Sequence, residues 1–83
     1  MRYVCRHAYD DLGETAVDFE ADSPMEAALL YALAEYRDRP FKFLKVAVTA
    51  PNTAQFDWMI SSADEHFKKV LRDHTTDGPD TSN

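Results

Sequence analysis

The chain has 83 residues, 45% of them apolar and 12% aromatic, and a formal net charge of −6. That length makes one small domain with a modest core, for which a partner or self-association is a common source of extra stability. A single cysteine excludes an intramolecular disulfide, two glycines leave little from which to build a phosphate cradle, and no apolar run reaches the roughly 18–20 residues of a membrane helix.

Residues 2–9 are β-prone and alternate, with Tyr3, Cys5, His7 and Tyr9 on one face and Arg2, Val4, Arg6 and Ala8 on the other. Asp10-Asp11-Leu12-Gly13 reads as a turn in which Gly13 supplies positive φ. Residues 14–21 alternate again, Thr15, Val17, Phe19 and Ala21 inward against Glu14, Asp18 and Glu20 outward, so 2–21 predicts a β-hairpin.

Ser23-Pro24-Met25-Glu26 is a helix start: Ser23 caps, Pro24 suits the first helical position and Glu26 completes a capping box. The helix is expected to run to about Asp38, with Met25, Leu29, Ala32, Leu33 and Tyr36 as its main apolar stripe, and Pro40 beyond its end. Residues 41–49 predict a third strand with Leu44, Val46 and Val48 on one face and Phe41, Phe43 and Ala47 on the other.

From Asn52 to His74 the pattern predicts one long amphipathic helix. Phe56, Ile60, Ala63, Phe67, Val70, Leu71 and His74 fall on one stripe at 100° per residue, with Met59 at its edge, and Asn52 and Gln55 form a cap-like pair. Trp58, the only tryptophan, lands on the opposite face with Ser62, Glu65 and Lys69.

The expected fold class is therefore α+β: a two-layer sandwich in the order β-β-α-β-α, with a three-stranded antiparallel sheet of order 2-1-3 and two helices on one face. Residues 1–74 form that single domain, and 75–83, which hold no hydrophobe, form a disordered polar tail. With no signal-peptide pattern and one thiol, the expected compartment is the cytoplasm.

Charge is unevenly spread. Tyr9 to Glu35 holds eight acids and no Lys or Arg, while bases collect elsewhere, at Arg2 and Arg6, from Arg37 to Lys45, and from Lys68 to Arg72. Such a region repels phosphate, which disfavours direct nucleic-acid binding, and attracts a basic protein surface. Cys5, His7, His66 and His74 lack the spacing of a zinc site or of a thiol with its base. Asp10-Asp11 reads as a turn and Asp64-Glu65 as a solvated helix face, and no Walker motif, nucleophile elbow or EF-hand spacing occurs. The chain thus reads as no enzyme, with no cofactor or metal.

The leading expectation is a small acidic protein-binding module or inhibitor. Trp58 would anchor it, Asp10, Asp11, Glu14, Asp18 and Glu20 would steer it, and Ser62 and Glu65 would flank the anchor, on a larger protein or complex with a basic surface, such as a nucleic-acid-processing one. By size, acidity and lack of catalytic residues, the chain is similar to small phage-encoded inhibitors, anti-CRISPR proteins and nucleic-acid mimics among them; the likeness is one of composition and rests on no particular residues. The alternative is a structural or regulatory homodimer joined through an open sheet face carrying Tyr3, Tyr9, Phe41 and Phe43.

Overall fold

Four strands and two helices follow one another along the chain: β1 (Arg2–His7), β2 (Val17–Glu20), α1 (Pro24–Asp38), β3 (Phe43–Thr49), β4 (Gln55–Ser61) and α2 (Glu65–Thr75). The computed structural model describes residues 1–10 and 12–75; Asp11 and the expected polar tail beyond Thr75 lie outside them. All strand pairings are antiparallel and the sheet order is β2-β1-β3-β4. The expected order 2-1-3 is present within it, and the sheet has a fourth strand where a helix was expected.

Register assigns the faces. Tyr3 pairs with Phe19, Cys5 with both Val17 and Val48, and His7 with Val46. Leu44, Val46 and Val48 pair with Ile60, Trp58 and Phe56. These residues face the helices, and Tyr3, Cys5, Leu44, Val46, Val48 and Ile60 are buried. Strand β1 turns Tyr3 and Cys5 into the core.

Helix α1 begins as its sequence dictates. The Glu26 amide donates to Ser23 Oγ (3.1 Å), Pro24 opens the first turn, and Glu26 Oε1 accepts from the Asp22 amide (2.7 Å). Its buried face is turned from the expected stripe: Ala27, Ala28, Tyr31, Ala32 and Leu33 are buried, while Met25 is exposed and Leu29 half-buried. Three alanines on the contact face let the helix approach the sheet closely, and Tyr31 fills the remaining space. Size complementarity thus outweighs summed hydrophobicity in choosing the face.

The stretch from Asn52 to His74 is where expectation and structure part. Pro51 and Asn52 sit in a tight turn; Asn52 Oδ1 accepts from the Ala54 amide (3.2 Å) and Thr53 takes the left-handed conformation (φ 67°). The chain then returns as β4, in which Phe56, Trp58 and Ile60 alternate with Gln55, Asp57, Met59 and Ser61. Residues 56 and 60 share a helix face and also a strand face, so the apolar pair fits both periods. Trp58 separates them: it lies off the helical stripe yet joins the inward face of the strand. Asp64 then caps α2, its Oδ1 accepting from the amides of His66 (2.8 Å) and Phe67 (3.4 Å). Phe67 is fully buried, and Tyr36, Phe41 and Phe67 gather with centroids 5.3–5.7 Å apart, which pins α2 to α1. Burial of Phe67 contributes about 1.5–3 kcal/mol. Among the described residues, no helix is long and apolar enough to cross a membrane.

Candidate functional site

Three surfaces gather the residues that chemistry could use: a cleft at one end of the sheet, the β2 edge and the β4 edge.

The cleft, of about 790 Å³, opens between the β1–β2 loop, the C-terminal end of α1 and the start of β3. His7 leaves β1 into it and Glu35 leaves α1; His7 Nε2 and Glu35 Oε1 are 2.9 Å apart, both side chains about one-third exposed. The His7 ring stands edge-on to Tyr31, centroids 5.8 Å apart. Such a couple can move a proton, but the hydroxyls nearest it are engaged in holding the loop. Thr15 Oγ1 donates to Asp10 Oδ2 (2.7 Å) and accepts from the His7 amide (3.0 Å), and Tyr31 Oη donates to the Thr15 carbonyl (3.0 Å). The Thr15 amide also donates to Asp10 Oδ2 (2.6 Å). These bonds to Thr15 hold the Asp10 carboxyl below the usual carboxylate range. Asp10 is thus a loop clamp. Nothing local in sequence pointed to the His7–Glu35 couple, because β1 and α1 meet only once the sheet has formed.

Cys5, two residues from His7 on the same strand face, is wholly buried, and burial pushes its thiol up to about 11. It is a protonated core residue at neutral pH. His66 and His74 are exposed on α2, and among the described residues no group of three His, Cys, Asp or Glu is placed to hold a metal ion.

The acidic stretch lies along the β2 side of the molecule. Glu14 is on the loop that leads into β2; Asp18 and Glu20 are exposed on its outer face; Asp22 and Glu26 follow at the start of α1. Two of these acids have cationic partners: Asp18 faces Arg2 at 3.5 Å, and Glu20 meets the Met1 ammonium at 2.8 Å, which lowers its pKa through hydrogen bond and charge together.

Trp58 is at the other side. It is half-buried on β4, its ring stacked on Phe56 (5.7 Å, 19° between planes) and bordering a small pocket of about 40 Å³ with Met25 and Leu29 of α1. Asp18 and Glu20, expected to steer, and the tryptophan expected to anchor therefore sit at opposite edges, with β1 and β3 between them, while Asp10 and Glu14 are on the β1–β2 loop. Ser62 continues the β3–β4 ladder, its amide donating to the Lys42 carbonyl (3.0 Å), and Glu65 is exposed in the first turn of α2 beside Lys68 (3.9 Å).

The aromatic open face is also divided. Tyr3 is buried beneath the helices and Phe41 packs on Tyr36 and Phe67, whereas Tyr9 and Phe43 remain exposed. The Lys45 ammonium lies 5.6 Å from the Tyr9 ring centroid. Parity takes Tyr3 to the core with Cys5, whereas Tyr9, of the same parity, lies past the end of β1 at His7.

Comparison with family models, curated proteins and solved structures finds no match to this chain.

Proposed function

We propose that the protein is a non-catalytic binding module whose β2 side meets a basic surface on a larger protein, such as a nucleic-acid-processing complex. One observation supports this reading: the eight acids between Tyr9 and Glu35 are accompanied by no base in sequence, and Glu14, Asp18, Glu20, Asp22 and Glu26 follow one edge of the fold. A net negative edge, even with Asp18 and Glu20 each beside one cation, raises the encounter rate with a basic surface and repels nucleic-acid phosphate. Trp58 lies outside this contact.

The test is retention of a partner from host lysate by wild type and by the combined Glu14→Gln, Asp18→Asn, Glu20→Gln variant, at low and raised salt. The expected result is a partner held by wild type at low salt, lost as salt rises, and not held by the variant. Equal retention by both proteins at both salts would overturn the reading.

A further inference from the structure

The β4 strand is an open edge whose sequence is complementary to itself. Residues Ala50 and Ala54 are bonded across the β3–β4 turn, and the Ser62 amide donates to the Lys42 carbonyl at the far end of the ladder. Antiparallel pairing alternates bonded and non-bonded residue pairs. Val48–Phe56, Val46–Trp58 and Leu44–Ile60 are then the bonded pairs, and the amides and carbonyls of Gln55, Asp57 and Met59 point away from β3. The Ser61 amide points the same way, while its carbonyl accepts from Asp64. Among the described residues, no strand lies beyond β4.

Edge strands are normally blunted by shortness, charge, proline or a bulge. β4 has seven residues, no proline, no lysine and one charge, Asp57. Beside it Phe56, Met59 and the neighbouring Met25 of α1 are 39%, 60% and 45% exposed.

We infer that β4 pairs antiparallel with β4 of a second copy, joining two sheets into one of eight strands about a twofold axis at Trp58. Register carries the choice of partner. Only residues whose amides point outward can bond across the new ladder, so the axis must pass through an integral residue position. An axis at Asp57 would set two carboxylates face to face. An axis at Met59 would pair Gln55 with residue 63, beyond the strand. An axis at Trp58, the midpoint of Gln55–Ser61, pairs the whole strand with its copy: Asp57 with Met59, Gln55 with Ser61, and Phe56 with Ile60. The two tryptophans meet in a non-bonded pair, the closer of the two pair types, on the helix side where Phe56 already stacks. The two Asp57 carboxylates become diagonal neighbours, roughly 7–8 Å apart, and are not directly opposed. The acidic β2 edge is three strand spacings away, roughly 14 Å, beyond the screening length of about 8 Å in physiological salt. The dimer would carry its two acidic edges at opposite ends.

The tryptophan at the proposed axis is the only one in the chain, so the unmodified protein reports on its own interface. The experiment follows mass by sedimentation, Trp58 emission, and exchange of the Asp57 and Met59 amides over a dilution series. The expected result is twice the 9.5 kDa chain mass at high concentration, with Trp58 emission shifting to the red and both amides losing protection as the dimer dissociates. Asp57→Pro removes an outward-pointing donor, together with the carboxylate, takes no bond from the β3–β4 ladder, and should halve the mass; Met59→Glu, which keeps the amide but sets a carboxylate directly opposite Asp57 of the second copy, should do the same if the proline variant fails to fold. A wild-type monomer at every concentration overturns the inference. So does amide protection that dilution does not change, or a dimer that persists in a folded Asp57→Pro or Met59→Glu variant.

Discussion

β2 and β4 both end the sheet, but they present different things to a neighbour. β2 has four residues, and its free side offers the backbone of Asp18 and Glu20, each with a carboxylate on the outer face. β4 has seven, one charge, and a rim of Phe56, Trp58 and Met25 on the helix side. A strand laid along β2 would gain few hydrogen bonds and meet negative charge; one laid along β4 would gain a full ladder and bury aromatic surface. The contrast separates two kinds of recognition, a long-range charged edge and a short-range pairing edge, and the sheet keeps β1 and β3 between them.

The largest expected effect asks whether the two edges depend on one core. Phe67→Ala removes the fully buried ring that ties α2 to Tyr36 and Phe41. It should cost about 3–5 kcal/mol. In urea, circular dichroism and Trp58 fluorescence should then lose signal at one lowered midpoint; separate midpoints would mean the β4 edge folds independently of the rest.

Trp58→Ala comes next. The ring is half-buried, so the loss should be about 2 kcal/mol, below the range for a fully buried ring. Chemical denaturation measures it, and a change under 0.5 kcal/mol would show that Trp58 contributes little to the monomer. Met59→Glu, by contrast, gives β4 the kind of guard that β2 already has, a carboxylate on the outer face. Its side chain is exposed on the outer face, so monomer stability should move by less than about 0.5 kcal/mol while self-pairing is lost.

The smallest effect concerns the loop that leads into β2. The Asp10 carboxyl is held below its usual range by Thr15, so the folded state favours its ionised form. That stabilisation is fully present above the unfolded Asp pKa and is lost as pH falls through the lowered folded value. Thr15→Val removes the hydroxyl but keeps the amide donor. Asp10 should then titrate at higher pH than in wild type, as read by carboxyl-carbon NMR, with β4 resonances unmoved. An unchanged Asp10 titration would mean the amide alone sets it.

Local chemistry was legible in the chain where neighbours in sequence satisfy one another. Ser23, Pro24 and Glu26 start α1 as read, Gly13 takes φ 71° in the turn, and the alternation of Leu44, Val46 and Val48 becomes the buried face of β3. The order β2-β1-β3 also followed from the crossover, skipping one position, expected of two strands joined through a helix. Residues 65–74 are helical as the pattern predicts, but 52–64 were misread because Phe56 and Ile60 satisfy both a 3.6-residue and a 2-residue period. The sign of error was present in Trp58, which a helix would have left facing outward and a strand takes to the core side. Only the tertiary structure decided this, because β3 supplies the hydrogen-bond partners that make β4 a strand.

The sequence by itself determined the cap of α1, the turn at Gly13, the acidic stretch and the α+β class, since each depends on residues a few positions apart or on composition. The tertiary structure alone decided which face of α1 is buried, that Tyr3 and Phe41 enter the core while Tyr9 and Phe43 stay out, that His7 meets Glu35, and that Asp18 and Glu20 stand at the opposite edge from Trp58. Those are questions of strand parity, side-chain volume and strand order. Each is set by contacts between segments distant in the chain, which no local pattern encodes.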